Sequence, residues 1–328
     1  RGDERYCRAC WDTKIAVAEI VARAFALTRY IRAHSAEKYL VYHSAQKRPI
    51  GQIIVVDDGY DLFLTMTLYP NFEWDEPAYQ LEGDPEGRTF GEVLVDGVAT
   101  VTIQNPPINL FDLGLYLAMA ETAGALAADD SVRVVVLRSS TPGFFIAHFD
   151  VTLIQQLPTD TPPSDTLNAF HAMCEAFRTM PKATIAVIEG RVGGGGSELA
   201  LSCDMRFAAL ESAVFNQPEV ALGIIPGGSG TVRLSRLMGR SRALEAILGC
   251  DDFDAAMAER YGWVNRALPS DELWPFVNRL AARLASFPPH AVQAAKQAVL
   301  RAEGDLHSDL LAEAAAFSGT LGNQRAID

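Results

Sequence analysis

No glycine-lysine pair occurs anywhere in the 328 residues, which removes the phosphate-cradling loop of the common nucleotide hydrolases. Neither glycine cluster has the G-x-G-x-x-G spacing of a dinucleotide turn, and Gly227-Gly-Ser-Gly-Thr231 misses the G-x-S-x-G nucleophile elbow by its last residue. His-Glu-x-x-His is absent and the six histidines are scattered, so no metal site is expected. Positive charge is scarce: 28 Lys and Arg against 41 Asp and Glu leave a net charge of −13. That balance argues against broad electrostatic binding to nucleic acid or an anionic membrane. The best candidate for a long apolar run, residues 15–27, is broken by Glu19 and Arg23, so no membrane span and no signal peptide are expected. Cysteine is sparse and odd in number, at five, which does not suit a disulfide framework. Cys174, Cys203 and Cys250 read as buried thiols, and Cys7-Arg-Ala-Cys10 lacks the second pair a zinc site would need. A cytoplasmic setting fits this usage.

With 49% hydrophobic and 21% charged residues, the chain has the composition of a globular protein with ample length for a core. Residues 1–85 read as a separate α+β segment of unassigned function. A helix is expected from Asp12, and strands near 39–42, 52–56 and 61–68. Glu82-Gly-Asp-Pro-Glu-Gly87 reads as a linker. Beyond it, Asp96-Gly97 between two β-branched runs signals a hairpin. Strand, strand, helix then recurs across residues 86–270. A helix is expected from 111 or 112 to 128, with Leu113, Tyr116, Leu117, Ala120 and Leu126 on its apolar side, and another over 164–179. Residues 271–328 read as a helical region. The pattern implies an α/β protein of stacked ββα units with a helical C-terminal part.

One stretch stands out. The apolar run 184–188 reads as a buried strand, Gly193 to Gly196 follow it, and Ser197-Glu-Leu-Ala-Leu201 opens a helix. Such a turn is either a tight strand-to-helix connection or a site for an anion or a developing oxyanion, because amides at a helix start are unpaired. Four glycines exceed what the connection needs, which favours the second reading. Glu198 sits just inside the turn, and Glu219 follows Gln217-Pro218 downstream. Ala147-His-Phe-Asp150 ends a strand-plus-turn unit where a free backbone N–H fits. Two carboxylates facing one water can activate it and move a proton to a neighbouring carbon. Two N–H donors aimed at one oxygen can stabilise an enolate formed from a thioester.

Four stretches carry a family resemblance: Asn105-Pro-Pro-Ile-Asn109, Phe144-Phe-Ile-Ala-His-Phe-Asp150, Gly193-Gly-Gly-Gly-Ser-Glu-Leu-Ala-Leu-Ser-Cys-Asp204 and Gln217-Pro-Glu-Val-Ala-Leu-Gly-Ile-Ile-Pro-Gly227. In this order and spacing they resemble the enoyl-CoA hydratase/isomerase (crotonase) family over about residues 90–325. The resemblance implies a crotonase-like spiral of ββα units, a C-terminal helical region that builds a homotrimer or a dimer of trimers, and an acyl-CoA thioester substrate. No cofactor is implied beyond the coenzyme A that the substrate carries. Carried over by position, it implies an oxyanion hole from the N–H groups of Phe149 and Gly195, and Glu198 and Glu219 as the catalytic acids. Ala147, His148, Asp150, Gly194 and Gly196 are the implied substrate-binding positions. Keeping both acids favours a hydratase, a lyase adding water across C2=C3 of a 2-enoyl thioester. An isomerase, a thioester or C–C hydrolase, and a non-catalytic assembly protein are the alternatives on the same fold. The chain departs from the family pattern at His148, where glycine is usual, and at 105–109, which lacks the basic residue many members place beside coenzyme A. Arg133, Arg138, Lys182, Arg191 and Lys296 are the candidate phosphate contacts.

Overall fold

The computed structural model describes residues 38–43, 48–57, 62–68, 79–81, 91–157 and 164–321, with side chains from residue 96 onward. The chain divides into two compact units, Arg1–Val95 and Asp96–Asp328.

In the first unit, β1 (Lys38–His43), β2 (Arg48–Asp57), β3 (Leu62–Leu68) and β4 (Tyr79–Leu81) form a four-stranded sheet in the order β3-β2-β1-β4. The pairs are antiparallel, and the β1–β2 register shifts between Val41 and Tyr42. The strands expected near 39–42 and 52–56 fall within β1 and β2, and the one expected at 61–68 corresponds to β3 from Leu62 onward. The expected helix from Asp12, the Cys7/Cys10 pair and the 82–87 linker lie outside the described residues. β5 (Gly91–Val95) leads into the turn Asp96-Gly97, where both residues have positive φ, 48° and 82°. That is the two-residue hairpin turn this dipeptide favours.

The second unit is built from pairs of strands that alternate between two sheets. β6 (Val98–Ile103), β7 (Val134–Ser139), β9 (Ala183–Ile188), β11 (Met205–Ala209) and β14 (Arg266–Leu268) run parallel in the first sheet. β8 (Phe144–Ile146), β10 (Arg191–Gly193) and β12 (Val214–Asn216) run parallel in the second, with β13 (Phe253–Asp254) antiparallel at its edge. Each passage β7→β8, β9→β10 and β11→β12 crosses between the sheets, and helical turns carry the chain back. This is the ββα spiral expected from the sequence. β7 starts with four buried residues and β9 is buried throughout, so both read as continuous apolar runs. One side of the first sheet is covered by α8 (Ser270–Ala285), whose Leu273, Val277 and Ala281 pack on Val136, Ile185, Val187 and Phe207.

Helix boundaries follow capping side chains. α1 (Leu113–Ala128) starts after Asp112, which accepts the Leu115 N–H. Its buried face is Leu115, Met119, Ala123 and Leu126, while Leu113 and Leu117 are 54% and 55% exposed. The expected face was therefore rotated: this helix is apolar nearly all round, so the pattern alone could not orient it. After the short α2 (Val151–Ile154), α3 (Ala169–Thr179) begins behind an Asn168 cap instead of at 164, because Ser164 turns back to accept the Thr166 N–H. α4 (Gly195–Leu201), α5 (Gly230–Met238), α6 (Arg240–Gly249), α7 (Ala255–Tyr261), α9 (Pro289–Ala302) and α10 (Leu306–Leu321) complete the unit. Cys174 and Cys203 are buried, with thiols pushed up to about 12 by burial, whereas Cys250 is only half-buried. Among the described residues, no helix is long and apolar enough to cross a membrane.

Candidate active site

The four-glycine turn lies where β10, an inner strand of its sheet between β12 and β8, runs into α4. Gly194 has φ 49° and ψ −127°, and a Cβ there would lie 2.9 Å from Glu219 Oε1. Only glycine combines that conformation with that closeness. A Cβ on Gly195 would lie 3.1 Å from Phe149 Cβ, one on Gly196 2.6 Å from Ile146 Cβ, and one on Gly193 2.7 Å from the Ala147 carbonyl oxygen. The turn is thus pressed against the end of β8. The other face of α4 is held by Trp263, whose indole N–H donates to Ser197 Oγ at 3.1 Å.

The residues after β8 are fixed by Phe111. Phe111 N–H donates to the His148 carbonyl at 2.9 Å, and Asp150 N–H donates to the Phe111 carbonyl at 3.2 Å. In this parallel bridge the Phe149 N–H points the other way. Neither it nor the Gly195 N–H has an acceptor among the described residues. The Asn105–Asn109 stretch braces the arrangement. Buried Asn109 donates to the Phe145 carbonyl at 2.8 Å and accepts from Asn105 N–H at 2.7 Å. Ala147 N–H donates to the Ile108 carbonyl at 3.1 Å. Asp150 caps α2 by accepting from Thr152 N–H and Oγ1, both at 2.8 Å. The half-buried His148 has Nδ1 2.8 Å from the Phe149 carbonyl oxygen.

The two acids occupy unequal surroundings. Glu198 is buried, and its Oε1 accepts the N–H groups of Gly228 at 2.8 Å and Gly230 at 2.9 Å. Its pKa is raised well above the ordinary value, by burial first and then by the charges of Glu219 and Glu313. Glu219, at the head of the 3₁₀ turn Glu219–Leu222, is also buried. Gln217 Nε2 donates to its Oε1 at 3.2 Å, and its Oε2 has no partner among the described residues. Burial raises its pKa to about 7. Gln217 joins the two environments, since a Cβ on Gly230 would be 2.9 Å from Gln217 Nε2 and 3.0 Å from Glu198 Oε1. With a pKa near 7, Glu219 can give and take protons near neutral pH, and the two acids titrate as a pair.

A family model described as Enoyl-CoA hydratase/isomerase matches residues 94–325. The chain is 33% identical over 222 residues to the short-chain-enoyl-CoA hydratase of Clostridium acetobutylicum, covering 67% of this chain and 84% of the relative. It belongs to the enoyl-CoA hydratase/isomerase family. The 2,3-dehydroadipyl-CoA hydratase of Escherichia coli is 34% identical over 207 residues, 63% of this chain and 79% of that one. Among solved structures, the enoyl-CoA hydratase of Geobacillus kaustophilus superposes with a TM-score of 0.60 at 28% identity, covering 72% of this chain and 89% of that one. The protein is an enzyme of this family, with hydratase-like relatives.

For an enoyl-CoA hydratase/isomerase, its cations are placed unexpectedly. Lys182 Nζ donates to the carbonyls of Leu126 and Asp129, Lys296 pairs with Asp204 at 2.8 Å, and Arg191 pairs with Asp252 at 2.5 Å. Arg138 lies over the Trp274 ring at 4.5 Å. Four of the five candidate phosphate contacts thus have protein partners for their charged groups, and Arg133 is the one for which none is seen among the described residues. Next to the acids stands an aromatic wall: Phe170 is edge-on to Phe111 and Phe149, with centroids at 5.3 and 5.5 Å. The sequence reading missed Phe170, Gln217, the amides of 228–232 and Glu313. The signal for Glu313 was present: a lone acid three residues after Leu310 on an apolar helix stripe.

Proposed function

We propose that the enzyme is a 2-enoyl-CoA hydratase in which Glu198 and Glu219 hold a water against C3 of the substrate. The observation that carries this reading is the pair of buried acids at one glycine turn, with Glu219 Oε2 lacking a partner among the described residues. Glu219 takes a proton from the water as its oxygen attacks C3. The electrons of C2=C3 move toward the thioester carbonyl, and the resulting enolate oxygen rests on the N–H groups of Phe149 and Gly195. A proton returned to C2 completes a 3-hydroxyacyl thioester. Unsatisfied amides are what an oxyanion needs, and a base with a pKa near 7 suits the proton transfers. Ala147, His148, Asp150, Gly194 and Gly196 shape the thioester site around them. An isomerase needs one acid to shuttle a proton; two coupled acids with a free oxygen favour hydration. The names of the Clostridium acetobutylicum and Escherichia coli relatives agree with a CoA thioester substrate. Exposed Leu237, Leu244 and Leu248 on α5 and α6 provide apolar surface for a homotrimer or dimer of trimers.

The test is a panel of 2-enoyl-CoA thioesters of increasing chain length with product identification. Formation of 3-hydroxyacyl-CoA is expected. Double-bond migration, release of free coenzyme A, or no turnover would each overturn the reading.

A further inference from the structure

Behind Glu198 stands a third buried acid that the proposed chemistry does not use. Glu313 projects from α10 with its side chain 1% exposed. Its Oε1 accepts the Ser229 N–H at 2.5 Å, and its Oε2 accepts those of Thr231 at 3.0 Å and Val232 at 3.3 Å, along with the Thr231 hydroxyl. His171 on α3, fully buried, places Nε2 3.3 Å from Glu313 Oε1 and has no partner at Nδ1 among the described residues. The amides on either side of Ser229 go to the other acid. Gly228 and Gly230 donate to Glu198 Oε1.

Along 228–231, then, successive N–H groups alternate between two carboxylates. Such alternation needs the chain to reverse locally, and Ser229 does so with φ 101° and ψ 4°. A non-glycine residue in that region is strained and persists only where its surroundings hold it. Here the holders are Glu313 on the amide and Arg233 on the hydroxyl, whose Nε donates to Ser229 Oγ at 2.6 Å. Arg233 is anchored in turn by Glu175 at 2.6 Å.

We propose that Glu313, braced by His171, is a positioning residue: it grips Ser229, Thr231 and Val232 so that the Gly228 and Gly230 amides stay on Glu198 Oε1, leaving Glu198 Oε2 as the working oxygen. The proposal rests on the hydratase reading for its effect on turnover, but not for its effect on the loop. Glu198 faces Glu219 from the 3₁₀ turn, Glu313 from α10, and Cys174 on α3, with His171 behind Glu313. After burial and the charge of Glu219, the charge of Glu313 adds to the rise of the Glu198 pKa.

The test uses the full chain, crotonyl-CoA as the probe substrate, and Glu313→Gln, which keeps the size and removes the charge. Misplacing a reacting group costs on the order of 10- to 100-fold in rate, so kcat should fall by that much while KM moves less than about threefold. The acid limb of the kcat profile, set by the base Glu219 whose pKa the Glu313 charge also raises, should move to lower pH, a change that loosened packing alone would not produce. Amide exchange across 228–232, read by mass spectrometry, should quicken by about tenfold. Wild-type kcat and an unmoved pH profile in folded Glu313→Gln would overturn the proposal. If the wild type hydrates nothing, the hydratase reading fails by itself, and unchanged exchange across 228–232 would then sink the positioning role separately. If Glu313→Gln does not fold, Thr231→Val removes one donor to Glu313. A kcat loss of about threefold or more with KM held supports the proposal, and an unchanged kcat overturns it.

Discussion

The two glycine-rich turns meet at Glu198, yet they use glycine for opposite ends. The turn at Gly193–Gly196 starts the helix that carries an acid, and its glycines let α4 press onto β8 and onto Glu219. The turn at Gly227–Gly230 carries no acid of its own. It supplies amides to acids from elsewhere, and a Cβ on Gly228 would stand 2.3 Å from Glu198 Oε2 and 2.5 Å from the Phe170 ring. One turn presents a carboxylate and the other receives it. The difference shows why a glycine cluster alone does not name a site: what matters is which groups reach into the space that the missing side chains leave.

The strongest way to break this comparison is to remove the acid with the free oxygen. Glu219→Gln keeps the shape and the Gln217 contact but cannot take a proton, and a loss of about 10²–10⁴ in kcat is expected with crotonyl-CoA. Next comes the receiving turn. Gly228→Ala forces its methyl group onto Glu198, so kcat should fall by about 10²-fold, with a loss of roughly 1–3 kcal/mol in a denaturant melt. Equal activity in Gly228→Ala and wild type would show that the second turn is only a connection.

A third effect separates the acids by pH. Glu219 has an ordinary value of 4.5 when exposed and about 7 when folded. Below about pH 4.5 it is protonated in both states and contributes no pH dependence. Between the two values the unfolded chain has released a proton that the folded protein still holds, so stability falls as pH rises and levels above about pH 7. The full change is on the order of 3 kcal/mol, and Glu198, also raised, acts in the same direction. Melting temperatures from about pH 5 to 8 should decline in the wild type, and the slope should be shallower in Glu219→Gln. The smallest effect tests a glycine that belongs to neither turn. A Cβ on Gly124, inside α1, would touch nothing within 4 Å. Gly124→Ala should therefore gain about 0.5–1 kcal/mol with kcat unchanged.

Much of the candidate site was legible because its signals are local. The buried strand before Gly193, the surplus of glycines and the acid five residues into the turn stand within one stretch of chain. The Asn105-Pro-Pro-Ile-Asn109 segment was visible as a motif, but its job as the brace behind Phe145 and Ala147 was not, because that depends on contacts across two sheets. The orientation of α1 failed for a different reason. An apolar helix offers no contrast between faces, so only its packing partners choose Leu115 and Met119 over Leu113 and Leu117. Glu313 was hidden by distance: it lies 84 residues from Ser229 along the chain.

By itself the sequence determined the succession of ββα units and the position of the glycine turn, and it singled out Glu198 and Glu219 as candidate acids, because apolar runs, turn formers and helix starts are set by neighbours in the chain. Only the tertiary structure decided what those acids experience. The amides of Gly228 and Gly230, the charge of Glu313 and the apolar surroundings of Glu219 all come from remote segments. Desolvation and Coulomb interactions act through space, so the proton affinity of each acid exists only once those segments have met.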